Sequence, residues 1–139
     1  MKVYLDSSVM LAFLLEGRRE LLGLPAGVTL GSSRLLWIET ARVVDRALRA
    51  GQLLDEDAAK VRVSFEKMAE GIVKLALSES VLDRAAGGFP VSLRTLDALH
   101  LAAALEWAGP GGCRDLEVWS FDRQMNLCSA GLGFRVAFL

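Results

Sequence analysis

The sequence has few of the features that mark several large classes of protein. It contains two cysteines, Cys113 and Cys128, whose separation matches neither a CxxC pair nor a metal-binding motif, as is usual in a reducing cytosol. The longest uncharged apolar run near the middle, 98–105, is far shorter than the roughly 20 residues of a membrane span. Asp6 stands where a signal peptide would have its apolar centre. We therefore expect a cytoplasmic protein with no membrane partner.

The chain also lacks a surplus of basic residues. Its 16 Lys and Arg are balanced by 17 Asp and Glu, which disfavours a protein whose affinity for nucleic acid depends mainly on many phosphate contacts. A nuclease with a bound divalent metal remains compatible, because the ion supplies positive charge locally. The length of 139 residues, 53% of them hydrophobic, suits one core. With no repeat or long linker in the chain, a single domain over 1–139 is predicted.

Short β-type runs alternate with helical ones along the chain. The predicted strands are 3–5, 28–30, 72–75, 116–120 and 134–138. The predicted helices are 9–15, a long one capped by Ser32 or Ser33 and ending near 50, 55–70, 79–86 capped by Ser78, 96–107 capped by Thr95, and 122–130. Strands separated by helices usually pair in parallel. The pattern predicts a three-layer α/β/α sandwich with a mostly parallel central sheet.

Four acidic residues are expected at one edge of this sheet. Asp6 follows the first strand, Asp122 follows the fourth, Glu39 lies about two turns into the second helix, and Asp97 lies in the first turn of another. Open α/β sheets bind ligands at the carboxyl ends of their strands, where helix N-termini also lie. Asp115 precedes the fourth strand, which places it at the opposite edge.

Each acid also has a purely structural interpretation. Asp6 and Asp122 could cap helices, Asp97 could complement a helix dipole, and Glu39 could face water. Together, however, four nearby carboxylates repel one another unless a cation joins them. Mg²⁺ and Mn²⁺ prefer oxygen ligands, and such a site is equipped to hydrolyse a phosphodiester bond.

The order and spacing of several segments resemble a known family. The segments are 3–8, ending in Asp6-Ser7-Ser8; Glu39; 94–102, with the sequence RTLDALHLA; and 120–122, with the sequence SFD. Together they resemble the PIN-domain ribonucleases, and most closely the VapC-type toxins of toxin–antitoxin pairs. The segment around Asp97 is the most specific of these, and the resemblance covers essentially the whole chain.

The resemblance implies an endoribonuclease that uses one or two Mg²⁺ or Mn²⁺ ions and leaves a 5′-phosphate and a 3′-hydroxyl. Asp6, Glu39, Asp97 and Asp122 would be its catalytic acids. Asp6, Asp97 and Asp122 would hold the metal, and Glu39 would help to bind it or orient the attacking water. Ser7 and Ser120 match supporting Ser or Thr positions. The implied partners are an RNA substrate, a cognate antitoxin and a second copy of the chain, with DNA reached only through the antitoxin.

Three further features leave alternatives open. Arg94 could contact phosphate, balance the acids or form a plain salt bridge. His100 lies three residues after Asp97, but its apolar neighbours favour a hydrogen-bonded core histidine over a general base. The tryptophans at 37, 107 and 119 are most simply core or interface aromatics.

The residues also bear on other functions. Asp6 is followed by Ser7 and Ser8, and not by an Asp-x-Asp motif, which disfavours a phosphatase with an aspartyl nucleophile. A metal-dependent DNA nuclease remains an alternative. So does a non-catalytic PIN-like module that binds RNA or protein, although the complete set of four acids disfavours it.

Overall fold

The computed structural model describes residues 1–138 and contains five strands, with one or two α-helices between successive strands and six α-helices in all. In chain order these elements are β1 (Lys2–Leu5), α1 (Ser7–Glu16), β2 (Thr29–Ser33), α2 (Leu35–Arg49), α3 (Asp55–Ala69), β3 (Ile72–Leu75), α4 (Glu79–Ala85), α5 (Thr95–Ala108), β4 (Leu116–Trp119), α6 (Arg123–Gly131) and β5 (Arg135–Val136). Short 3₁₀ turns occur at Glu20–Gly23, Gly109–Gly111 and Cys113–Asp115.

The strands form one parallel sheet in the order β3-β2-β1-β4-β5. The central strand β1 is buried on both faces, so successive side chains join different cores. Tyr4 packs with residues of α4, α5 and α6, whereas Leu5 packs with residues of α1, α2 and α3. The predicted three-layer α/β/α architecture is confirmed.

The second strand is longer than predicted, because Ser32 and Ser33 belong to it and Arg34 occupies the cap position of the following helix. Both are fully buried, and Ser33 Oγ accepts the backbone N–H of Leu35, the first residue of α2, at 3.2 Å. Ser32 Oγ donates to the carbonyl of Leu5 at 2.6 Å, and the backbone N–H of Ser33 donates to the hydroxyl of Tyr4 at 3.2 Å. The serines therefore extend β2 and tie it to β1.

Two other boundaries also differ from the prediction. Thr95 is the first residue of α5 and Arg94 precedes it as the cap, because the chain is still extended at Arg94. The last strand covers only Arg135–Val136 instead of 134–138. Phe134 and Phe138 contribute to the two cores, so the apolar character of this segment reflects packing more than strand pairing.

Helix α5 lies directly on the sheet at Gly31. A Cβ atom at Gly31 would lie 2.6 Å from the ring of Trp107, so only glycine leaves room for the indole there. Lys2 Nζ also donates to the carbonyl of Trp107 at 2.9 Å. These contacts fix the C-terminal end of α5 against β1 and β2, and so direct its first turn toward the carboxyl edge of the sheet.

Within residues 1–138, no helix combines the length and the apolarity needed to cross a membrane.

Candidate active site

The four predicted acids lie at the carboxyl edge of the sheet. Asp6 follows β1, Asp122 follows β4, Asp97 lies in the first turn of α5 and Glu39 lies in the second turn of α2. Shared contacts described below link all four. Asp115 lies at the other end of β4, away from this cluster.

Asp6 is held through one of its two carboxylate oxygens. The residue is 5% exposed, and its Oδ2 accepts hydrogen bonds from Ser8 Oγ at 2.6 Å and Ser120 Oγ at 2.8 Å. Its Oδ1 lies 3.6 Å from His100 Nε2. Asp6 occupies the cap position of α1, but its side chain makes no capping bond to the described backbone. The helix-cap interpretation therefore does not account for its carboxylate.

Glu39 is also held through a single oxygen. Its Oε1 accepts from Ser7 Oγ at 2.8 Å and from His100 Nε2 at 2.6 Å, which leaves Oε2 for other partners. Burial alone raises the pKa of Glu39, but the hydrogen bonds and charge of His100 and the bond from Ser7 outweigh it. The pKa therefore lies below its usual value, and Glu39 is ionised at neutral pH.

His100 connects these acids to the central strand. It is 1% exposed, and its Nδ1 lies 2.7 Å from the hydroxyl of Tyr4 while Nε2 faces Glu39. Burial lowers the pKa of His100, but Tyr4, Glu39 and Asp6 together raise it to about 10. The residue is a buried, hydrogen-bonded histidine, and two of its partners belong to the acidic cluster.

Asp97 and Asp122 face the guanidinium of Arg94. Arg94 Nε lies 3.7 Å from Asp97 Oδ2, and Arg94 Nη2 lies 3.6 Å from Asp122 Oδ2. Burial, followed by repulsion from Asp6 and Asp122, raises the pKa of Asp97 even though Arg94 opposes the change. The negative charge of the cluster is thus only partly balanced.

Asp122 both caps a helix and belongs to the acidic cluster, which are the two roles that its sequence position allowed. Its Oδ1 accepts from the backbone N–H of Met125 at 2.9 Å and so caps α6. Its Oδ2 faces Arg94. Ser120 Oγ accepts the backbone N–H of Asp122 at 3.0 Å, so one hydroxyl orders both Asp6 and the turn that carries Asp122.

Sequence reasoning missed two residues of this network. Ser8 donates to Asp6 and accepts the backbone N–H of Phe121 at 3.0 Å, and Tyr4 fixes His100. The adjacency of Ser8 to Asp6 could have indicated the first. Nothing in the sequence indicated the role of Tyr4, because a tyrosine in a buried strand is usually an ordinary core residue.

The donor atoms fit a divalent cation in their chemistry. All four acids offer carboxylate oxygens, and the raised pKa of Asp97 marks unbalanced negative charge that a cation would relieve. Among residues 1–138, however, no three His, Cys, Asp or Glu side chains are arranged closely enough to share an ion. Asp97 and Asp122 instead face Arg94, so they would have to turn from it to bind a cation.

Comparisons with known proteins identify a matching family model and similar folds. The family model for the PIN domain matches residues 3–126, whereas no curated protein sequence matches the chain. The structure of VapBC2 from Rickettsia felis bound to a DNA fragment from their promoter aligns with a TM-score of 0.69 over 99% of this chain and 98% of the other, at 9% identity.

Two further structures are similar in fold. VapBC-1 from nontypeable Haemophilus influenzae aligns with a TM-score of 0.62 over 99% of this chain and 98% of the other, at 12% identity. A toxin–antitoxin complex from Klebsiella pneumoniae aligns with a TM-score of 0.55 over 88% of each chain, at 19% identity. At such identities the likeness concerns the fold alone.

Proposed function

The chain belongs to the PIN-domain family, and we propose that it is an endoribonuclease that hydrolyses RNA phosphodiester bonds with Mg²⁺ or Mn²⁺. The observation that carries the proposal is the group of four acids at one sheet edge, in which the pKa of Asp97 is raised by burial and by repulsion from Asp6 and Asp122. Such a cluster costs stability unless a cation balances its charge, and acids with perturbed pKa values are common at functional sites.

The residues of this site divide into two sets. Asp6, through Oδ1, and Asp97 and Asp122 would hold one or two ions. When bound, a divalent cation supplies positive charge that stabilises the phosphate in the transition state and makes water more acidic. Glu39, ionised and held through Oε1, would use Oε2 to accept a proton from the attacking water and to orient it.

Arg94 has a different part in this proposal. Its side chain is 83% exposed, so it can leave Asp97 and Asp122 without cost from burial and pair with an incoming phosphate. Attack by water then leaves a 5′-phosphate and a 3′-hydroxyl. Ser7 and Ser120 support the reaction by fixing Glu39 and Asp6.

We also propose that the protein is the toxin of a toxin–antitoxin pair. The three similar structures named above are described as VapBC or toxin–antitoxin complexes, and one of them includes promoter DNA. By this proposal the protein acts in the cytoplasm as a homodimer, binds a small antitoxin, and meets operator DNA only through that antitoxin. Co-expression with the product of an adjacent small gene tests the partner directly.

The nuclease proposal is tested with purified protein and end-labelled RNA. Cleavage should require Mg²⁺ or Mn²⁺, stop on addition of EDTA, and yield fragments with 5′-phosphate ends. Asp97→Asn should abolish it, whereas Asp115→Asn, which alters an acid at the opposite edge of the sheet, should not. Metal-independent cleavage, or full activity of Asp97→Asn, would contradict the proposal. A parallel single-stranded DNA substrate tests the DNA nuclease alternative.

One observation favours a second candidate, a PIN-like module that binds RNA or protein without cutting. Arg94 contacts both Asp97 and Asp122, which is the arrangement expected if no cation is ever bound there. A thermal-shift titration separates the candidates: Mg²⁺ should raise the Tm of the nuclease and leave that of a metal-free binding module unchanged.

A further inference from the structure

We infer that His100 is a positioning residue for Glu39: it fixes which carboxylate oxygen of that acid faces the substrate. The inference rests on the proposed function, since it concerns the orientation of the acid that would handle the attacking water. It comes from a chain of contacts that joins four elements, from β2 through β1 to α5 and on to α2.

The chain begins at the Tyr4 hydroxyl, which accepts the backbone N–H of Ser33 at 3.2 Å. The same hydroxyl lies 2.7 Å from His100 Nδ1. Tyr4 and Ser33 are fully buried, and His100 is almost so. The hydroxyl is therefore anchored to the sheet backbone, and it sets the orientation of the imidazole ring, much as outer partners orient functional histidines elsewhere.

The other ring nitrogen of His100, Nε2, contacts Glu39. The carboxylate is ionised, because its pKa is lowered, and can only accept hydrogen bonds. His100 Nε2, 2.6 Å from Oε1, must therefore carry a proton whether the ring is neutral or charged. Nε2 also lies 3.6 Å from Asp6 Oδ1. The same N–H therefore lies between Glu39, which would orient the attacking water, and Asp6, which would hold the cation.

The two carboxylate oxygens of Glu39 therefore have different roles. Ser7 and His100 both bond Oε1, so rotation of the carboxyl group would break two bonds at once. Ser7 alone would leave Glu39, on a side chain with three rotatable bonds, free to present either oxygen. His100 thus converts a flexible acid into one with a fixed reactive oxygen, without itself touching the substrate.

Two substitutions of His100 distinguish its proposed positioning of Glu39 from a role in which it only fills space. In His100→Gln the amide nitrogen lies near the place of Nε2 and can still donate to Glu39. In His100→Asn the shorter amide retains only the Tyr4 side of the contact. Second-sphere losses are typically on the order of 10- to 100-fold, so kcat for RNA cleavage should fall by about that factor in His100→Asn with KM within about twofold. His100→Gln should recover most of the loss.

A double-mutant cycle gives a measurement that a purely structural role of His100 would not affect. If His100 acts through Glu39, His100→Asn should reduce kcat little further in a Glu39→Gln background, whereas independent effects multiply. Thr40→Val is the matched control, because it removes a neighbouring hydroxyl of α2 that has no partner among the described residues, and it should leave kcat unchanged. Multiplicative effects in the cycle would overturn the inference.

The sequence contains one histidine, so NMR can test the contact without any catalytic assay. The Nε2-bound proton of His100 should give a protected, downfield signal in the wild-type protein and should shift strongly upfield or exchange rapidly in Glu39→Gln. An unchanged signal in Glu39→Gln would overturn the inference even if His100→Asn fails to fold. Absence of RNA cleavage by the wild-type protein would count against the proposed function, whereas cleavage with a multiplicative cycle would count against the role of His100.

Discussion

The guanidinium of Arg94 reaches from the cap of α5 to the cap of α6, where its Nη2 lies 3.6 Å from Asp122 Oδ2. Its Nε lies 3.7 Å from Asp97 Oδ2. A single exposed cation therefore faces two of the three acids that the proposal assigns to the metal. Exposed ion pairs of this length contribute little, about 0–1 kcal/mol, so a divalent cation should replace them readily.

We expect Arg94→Gln to tighten Mg²⁺ binding, by up to about fivefold, because the side chain no longer competes for Asp97 and Asp122. Calorimetric or thermal-shift titration measures the change. Arg49→Gln is the matched control, since Arg49 pairs with Asp45 far along α2 and should not alter Mg²⁺ affinity. Weaker Mg²⁺ binding by Arg94→Gln would show that the arginine does not compete with the ion.

Asp97→Asn should abolish cleavage, with a loss of more than about 100-fold, and should also raise Tm in the absence of metal. Burial and the repulsion from Asp6 and Asp122 raise the pKa of Asp97. The native state therefore binds the proton more tightly than the unfolded chain, and stability declines as pH rises above about 4. The Tm gained by Asp97→Asn should be larger at pH 7 than at pH 4; an equal or smaller gain would contradict the direction of this shift.

The stability contributed by His100 should depend on pH above neutrality. Its pKa is raised to about 10 in the native protein, so its stabilising effect is complete below about pH 6.5 and is lost as pH rises through 10. Glu39 remains ionised throughout this range. We expect the difference in free energy of unfolding between wild type and His100→Gln to shrink from pH 6.5 to pH 10 in urea denaturation. The corresponding difference for Thr40→Val should stay constant.

Ser120→Ala should both destabilise the protein and impair catalysis. The change removes a donor to Asp6 and an acceptor for the Asp122 N–H, and an unpaired buried polar group costs about 1–3 kcal/mol. Ser129→Ala is the control, because Ser129 is equally buried but donates to the carbonyl of Met125 in α6. Both variants should unfold at lower urea concentration, but only Ser120→Ala should lower kcat.

Gly31→Ala should lower the free energy of unfolding by about 1–3 kcal/mol, because the new methyl group would meet the ring of Trp107. Adding Trp107→Leu should recover part of the loss. Gly23→Ala, where an added Cβ has no neighbour within 4 Å, serves as the control. Unchanged stability in Gly31→Ala would mean that α5 can move away from the sheet at little cost.

The position of the acids was predictable because parallel strands end at a common edge. Asp6 and Asp122 each follow a strand, and Asp97 lies in the first turn of a helix that begins at the same edge, so topology brings them together whatever their rotamers. Whether Glu39 points into the site was harder to predict, because the sequence of an apolar helix does not show which of its faces packs against a partner.

The polar contacts within the site were not predictable in the same way. Which oxygen of Asp6 is bonded depends on Ser8 and Ser120, which are 112 residues apart in the chain. The bridge made by Arg94 depends on the approach of α5 and α6. The extension of β2 through Ser33 also escaped prediction, because serine before a helix more often caps it than completes a buried strand.

The two hydroxyls on Asp6 Oδ2 have a consequence for the size of the cation. A carboxylate with one oxygen already occupied can offer an ion only the other, and it cannot bind through both. Calcium often takes both oxygens of an acid within a flexible shell of six to eight ligands, whereas magnesium accepts single oxygens in a strict octahedron. Ser8 and Ser120 would thus favour the smaller ion without contacting it, by limiting how Asp6 can bind and not by changing its charge.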